Sequence, residues 1–185
     1  MPLFRARAVG GAAAFLLGVV FAHGQVSDCT RLLQAQDAQA VAACKAQLDE
    51  AEKAPASERM GRIVANDEYG VALLAIAHDP KQSLEPFNRG IAILPSSTVK
   101  HDSLQYAVEF WHRATAYQQL KQWEQAAADL RTAEDTLTRA IAASGSDNAA
   151  AEHFRKLRQS VRKQRADVLE HQGRHQEAEK VLATQ

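Results

Sequence analysis

The stretch "AYQQLKQWEQAAADL", Ala116 to Leu130, decides the fold. Its first half closes one helix and its second half opens another, with no Gly or Pro between them. Tyr117 and Leu120 continue an apolar face that begins upstream with Leu104, Ala107, Phe110, Trp111 and Ala114. Trp123, Ala126, Ala127 and Leu130 begin the next face, carried on by Ala133, Leu137 and Ile141. Both sets recur every three or four residues, the period of a helix with one buried side. Two such helices joined by so short a turn must fold back on each other, with the small Ala side chains letting the backbones approach.

Working outward, the same period fills the chain and gives no convincing strand. Of 185 residues, only 9 are Gly and 5 are Pro, too few for the frequent turns of a sandwich or barrel. Upstream lie helices expected at 28–35 and 38–53, with Asp37 between them as a cap. A longer helix is expected at 58–78, capped by Ser57, with Met60, Ile63, Val64, Val71, Leu74 and Ala75 as its stripe. Leu73 and Ile76 fall off that stripe, so the end of this helix should be buried on more than one side. "DP" at Asp79–Pro80 is a start signal, since Asp caps and Pro at the first helical position loses no hydrogen bond. Pro86 should kink the helix that follows, and Pro95 should end it. Downstream, "SGSDN" (Ser144–Asn148) breaks the chain, a long helix runs from about Ala149 to Gln172, Gly173 stops it, and His175–Ala183 forms a last short helix.

The first residues read differently. Arg5 and Arg7 precede an apolar run, Ala8–Ala22, and "AHG" then sets small residues at 22 and 24. That order, basic, apolar, small-x-small, is a secretory signal peptide cleaved after Gly24. The run has 15 residues where a membrane span wants about 20. An uncleaved inner-membrane anchor is the alternative. Full-length net charge is zero; removing Arg5 and Arg7 leaves 20 bases against 22 acids. No global field therefore recruits nucleic acid or membrane. The expected division is a signal peptide at 1–24, an N-terminal hairpin at 25–55 and a helical domain at 56–185.

Cys29 and Cys44 are the only cysteines. Cys29 is seven residues before Gln36 and Cys44 seven after Asp37, so antiparallel helices would bring the two thiols level. In an exported chain this predicts a disulfide stapling a hairpin poor in large side chains. The alternative is a pair of buried free thiols. There is no C-x-x-C for redox catalysis.

The four helix–turn–helix units suggest a repeat, and the residues around Ala116 resemble the tetratricopeptide repeat. That family's pattern is W-x2-L-G-x2-Y, then A-x3-F, then a small residue and Pro. Phe110, Arg113, Ala114 and Tyr117 stand at the first part, Ala126 and Leu130 at the second, and Ala133 at the later small position. A second copy places Arg165, Ala166 and Leu169 in the first part, Gly173 at the turn, and Ala178 and Leu182 in the second. Ser83, Phe87, Gly90 and Pro95 match the second helix of a weaker third copy. Arg113 and Arg165 stand where the family prefers Leu, and Thr138 replaces the final Pro. The matched Ser83, Ala126 and Ala178 are 43 and 52 residues apart rather than 34, so the repeats are elongated. The resemblance implies an all-α fold: stacked antiparallel helix hairpins in a short right-handed solenoid whose concave face binds a peptide or protein segment. On that comparison, Trp111, Thr115 and Gln118 lie toward the ligand side, with packing against the preceding helix as the other role open to Trp111.

"RKLRQSVRKQR" (Arg155–Arg165) holds six bases in eleven residues, and Arg155, Arg158, Arg162 and Arg165 recur at helical spacing. This stripe is either a docking face for an acidic partner, a carboxylate terminus or anionic lipid, or a solvated face. His171 and His175 have metal-ligand spacing, but Gly173 between them should splay them, and no third ligand is evident. The remaining histidines are scattered, and Asp67 and Glu68, being adjacent, point to different sides of a helix. No nucleophile elbow, phosphate loop or zinc signature is present. The sequence thus points away from an enzyme and names no cofactor. It points to an exported module or scaffold for protein–protein interaction in the bacterial periplasm or envelope, open to self-association through its terminal helix. The alternative is a non-repeat helical bundle binding a small ligand or metal.

Overall fold

A computed structural model describes residues 26–55, 58–94 and 103–183. The described chain is all helical: α1 (Asp28–Gln34), α2 (Ala40–Lys53), α3 (Arg59–Val71), a π-helical turn (Ala72–Ile76), α4 (Pro80–Ala92), α5 (Ser103–Gln119), α6 (Trp123–Ala143), α7 (Asn148–His171) and α8 (His175–Ala183). The expected signal peptide at 1–24, the expected Ser57 cap and the expected Pro95 stop lie outside the described residues.

One turn builds the hairpins. Two residues past α1, α5 and α7 stand Gln36, Lys121 and Gly173, each with φ between 53° and 73°. The residue after each donates its N–H to the carbonyl five residues back: Asp37 to Leu32 at 3.0 Å, Gln122 to Tyr117 at 2.8 Å, Arg174 to Leu169 at 2.9 Å. This six-to-one bond satisfies a helix-end carbonyl and reverses the chain. His78, also at φ 53°, ends the α3 segment similarly, but Asp79 reaches back six residues, to Leu73. The extra residue is the π insertion, in which Ala77 bonds to Ala72 at 3.1 Å. Widening the helix there turns both Leu73 and Leu74 inward, each 6% exposed. It also sets Ile76 against the N-terminal hairpin, as the off-stripe residues predicted.

The hairpin α1/α2 is closed by a Cys29–Cys44 disulfide, with Cα atoms 4.6 Å apart. The predicted pairing is therefore present. Leu33, Ala40 and the disulfide pack on Tyr69, Val71 and Ala72. Asp37 caps the intervening turn, accepting the Gln39 N–H at 2.8 Å. α4 starts as expected, with Asp79 accepting the Gln82 N–H at 2.9 Å and Pro80 in the first turn. It runs on through Pro86 to Ala92. α4 lies close to α3 because Gly70 has no side chain: a Cβ there would sit 2.5 Å from Cε1 of the fully buried Phe87.

The main core lies between α5, α6 and α7. Ala114, Ala126, Leu130 and Ala133, all at repeat-pattern positions, have no exposure, and Phe110, Tyr117 and Trp123 pack around them. From α7, Leu157, Val161 and Val168 complete the cluster. Two apolar positions depart from expectation. Met60 is 36% exposed and Leu182 is 57% exposed. Met60 sits in the first turn of α3 and Leu182 in the last turn of α8, where no described helix lies over them.

Each helix packs chiefly on its neighbours in sequence, and α3 also meets α5, as α5 meets α7. The first helices of hairpins α3/α4, α5/α6 and α7/α8 are thereby brought side by side. Among the described residues no helix is long and apolar enough to cross a membrane.

Candidate interaction surfaces

Where α5 passes α7, Gln164 gathers the three residues assigned to a groove. Its Oε1 accepts from Trp111 Nε1 at 2.5 Å, and its Nε2 donates to Thr115 Oγ1 at 3.0 Å and to Gln118 Oε1. Trp111, Thr115 and Gln118 are half-buried and one helical turn apart. The structure therefore groups them but bonds them to each other's common partner, which the sequence did not reveal. Gln164 reaches them because the two first helices are neighbours on this side.

The basic stripe of α7 divides in two. Arg162 and Arg165 both turn onto Glu134 of α6, at 2.6 Å each, with side chains 13% and 20% exposed. These two side chains tie α7 to α6. The reason is Glu134 itself, buried on the flank of α6 and within reach of both. Arg155 and Arg158 stay outside that pairing. Arg155 makes only an exposed contact with Glu152 at 3.4 Å. Arg158 forms no ion pair within 4 Å among the described residues, and its pKa is lowered by partial burial and by the neighbouring Arg162 charge. An open cleft of about 500 Å³ lies here, between α7 and the end of α8.

Arg113, the other Arg at a Leu position of the repeat pattern, meets Asp129 of α6 through two bonds of 2.7 Å. It also donates to Asn88 Oδ1 of α4 at 2.8 Å and lies over the rings of Phe110 and Tyr117. Burial works against its charge, but Asp129 outweighs it and holds the pKa above its ordinary value. Both departures from the repeat pattern are thus answered by a buried acid on α6.

A third polar cluster joins α3, α4 and α5. Asp67 Oδ1 is 2.7 Å from His112 Nδ1. Burial disfavours the imidazolium, yet the Asp67 charge and hydrogen bond win and raise the His112 pKa. Glu109 is fully buried; its Oε1 accepts from Gln105 at 3.1 Å while Oε2 has no hydrogen-bond partner. Burial, reinforced by the Asp67 charge, pushes its pKa well above the carboxylate range. Glu109 lies against Gly90, where a Cβ would be 2.7 Å from Oε2. Glu68, on the other side of α3 from Asp67, bonds to Thr30 at 2.5 Å and to Gln47, tying the N-terminal hairpin to α3. Burial raises its pKa despite those two bonds. These are packing contacts between helices, with no Ser, Thr or Cys nucleophile bonded to His112.

The histidine pair separates as Gly173 implied. His171 stacks on Trp123 at 4.4 Å, and His175 meets Glu170 at 2.5 Å. Among the described residues no group of three His, Cys, Asp or Glu side chains is arranged to hold a metal ion.

No family model, curated protein or solved structure matches the chain significantly.

Sequence reasoning missed Asp129, Glu134, Glu109 and Gln164. The two Arg residues at Leu positions were the available signal, since an Arg placed on an apolar face needs a buried acid in reach.

Proposed function

We propose that the chain is an exported module for protein–protein interaction, built as a tetratricopeptide-like solenoid. The observation that supports this reading is that α3 meets α5 and α5 meets α7, the first helices of three successive hairpins. Packing dominated by sequence neighbours is how a helical repeat array holds itself together, and the side lined by first helices becomes the long inner surface that such arrays offer to a partner. Trp111, Thr115 and Gln118 lie on that side, already fixed by Gln164. A partner meeting a pre-ordered polar line loses less side-chain entropy on binding. A periplasmic or envelope location fits the signal-like segment and the Cys29–Cys44 disulfide, which persists in oxidising compartments.

Small-angle scattering on the chain beginning at Gln25 tests the architecture. A globule of about 160 residues has a radius of gyration near 15 Å, and the solenoid must exceed it; a value at the globular figure overturns the reading. N-terminal sequencing of the protein recovered from the periplasm tests export, with Gln25 expected as the first residue and an intact Met1 contradicting it.

A further inference from the structure

The cleft between α7 and α8 is a second surface, separate from the Trp111 side, and its chemistry is specific. Five cations line it: Arg155, Lys156, Arg158, Arg162 and Lys163, against the single acid Glu152. Its remaining wall includes Val181 and Leu182 of α8, the latter 57% exposed. Among the described residues α8 has 9 residues and α7 has 24, roughly 13 Å and 36 Å at about 1.5 Å per residue. From the turn at Gly173, Ala183 is level with about residue 163 of α7, and the α7 residues that line the cleft run from 152 to 163. That face is about 17 Å long, enough for three turns of a helix.

The charges there are crowded and poorly answered. Only Arg162 is bound to a buried acid, Glu134. Lys156, Arg158 and Lys163 make no ion pair within 4 Å among the described residues, and partial burial together with the Arg162 and Arg155 charges disfavours the charged form of Arg158. An incoming carboxylate relieves that repulsion. The apolar step at Val181 and Leu182 meanwhile offers a place for one apolar side chain at the end of the row.

We propose that this cleft binds an acidic helical segment of a partner protein, carrying carboxylates at three- and four-residue spacing and one apolar side chain seated on Val181 and Leu182. Charge complementarity selects the carboxylates. Concavity selects a protein segment over a membrane surface, because anionic lipid is met by a convex or flat basic face with its apolar residues projecting, whereas here the basic row forms the wall of a recess.

The test uses the full exported chain with its disulfide intact. The probe is a fluorescein-labelled, end-capped helical peptide of about 14 residues with Glu at i, i+3, i+4 and i+7 and one Leu, read by anisotropy. The expected result is binding that weakens steeply with salt and falls about tenfold in Arg158→Glu. It falls similarly in the doubly exposed Lys156→Glu/Lys163→Glu variant, which serves if Arg158→Glu does not fold by its melting curve. A peptide with Gln in place of every Glu should not bind, and Leu182→Asp should weaken the Glu peptide. Equal binding by wild type and the charge-reversed variants, or no binding by wild type, overturns the proposal. Binding to phosphatidylglycerol vesicles at least as strong as to the peptide overturns it in favour of a membrane surface. Trp111→Ala should leave peptide binding unchanged, so failure here does not touch the repeat-module reading, which stands or falls on the radius of gyration.

Discussion

The pair Arg113–Asp129 gives the sharpest test of how this stack is held. The side chains are 17% and 8% exposed and bonded twice at 2.7 Å. Removing one partner leaves the other as a buried charge without its counter-ion, which in other buried pairs costs about 3–5 kcal/mol. Asp129→Ala should therefore destabilise by about 3 kcal/mol, the lower end, because Asn88 still accepts one guanidinium bond and the rings of Phe110 and Tyr117 remain beneath it. Arg113→Leu should cost about as much, stranding the Asp129 carboxylate. The double variant Arg113→Leu/Asp129→Leu replaces the pair by two apolar neighbours. It should return to within about 1 kcal/mol of wild type, since well-packed apolar residues often replace a buried pair without loss. The coupling energy of the cycle is then about 5 kcal/mol. Urea denaturation followed by circular dichroism reads all four proteins. Additive single effects, or a cost below about 1 kcal/mol for Asp129→Ala, would show that the pair is solvated and that the buried-pair account of these Arg positions is mistaken.

Three further outcomes follow from the same contacts. Glu109 has a folded pKa raised above its unfolded value of 4.5. Its neutral form is the one the fold accepts, so stability is fully present below about pH 4.5 and declines as pH rises from there toward the folded pKa. His112, raised above 6.5, adds a loss at higher pH in the same direction; Glu109→Gln should lessen the fall of the thermal midpoint as pH rises above 4.5, and an unchanged profile contradicts the burial of Glu109. Reducing the Cys29–Cys44 bridge, which joins positions 15 apart, should cost about 3 kcal/mol of hairpin stability by chain entropy, seen as a lower denaturation midpoint with reductant than without. Lys121→Gly at φ 57° should stabilise the α5/α6 turn by about 1 kcal/mol, because Gly adopts this left-handed conformation without the side-chain clash, and a lowered midpoint would refute the turn geometry.

What could be read from the sequence was whatever depends on period and on local caps. The apolar repeat of Phe110, Ala114 and Tyr117 against Ala126, Leu130 and Ala133 gave the α5/α6 hairpin. Asp79–Pro80 located the start of α4, and equal spacing from the turn paired Cys29 with Cys44. What could not be read depends on distance across the stack. Gln164 lies 46 to 53 residues from the side chains it binds, and Asp67 lies 45 from His112. No local pattern records those separations. The π turn is an intermediate case: Leu73 and Ile76 off the stripe announced a change of face, but a widened helix and a twisted one leave the same mark in the sequence.

Glu134 meets two arginines of α7 at once. Ala-rich interfaces such as Ala114, Ala126 and Ala133 let helices approach but say little about register, because one small side chain fits another at several offsets. The acids of α6 supply what Ala cannot. Asp129 faces α5 through Arg113, and Glu134 faces α7 through Arg162 and Arg165. Each fixes a neighbour at one position along the axis, a use of buried charge for specificity more than for stability. The same contact sorts the basic stripe of α7. By drawing Arg162 and Arg165 inward it leaves Arg155, Lys156, Arg158 and Lys163 as the outward-facing cations. What reads as one continuous run of charge is thus an inner pair bonded to Glu134 and an outer row that forms no ion pair with it among the described residues.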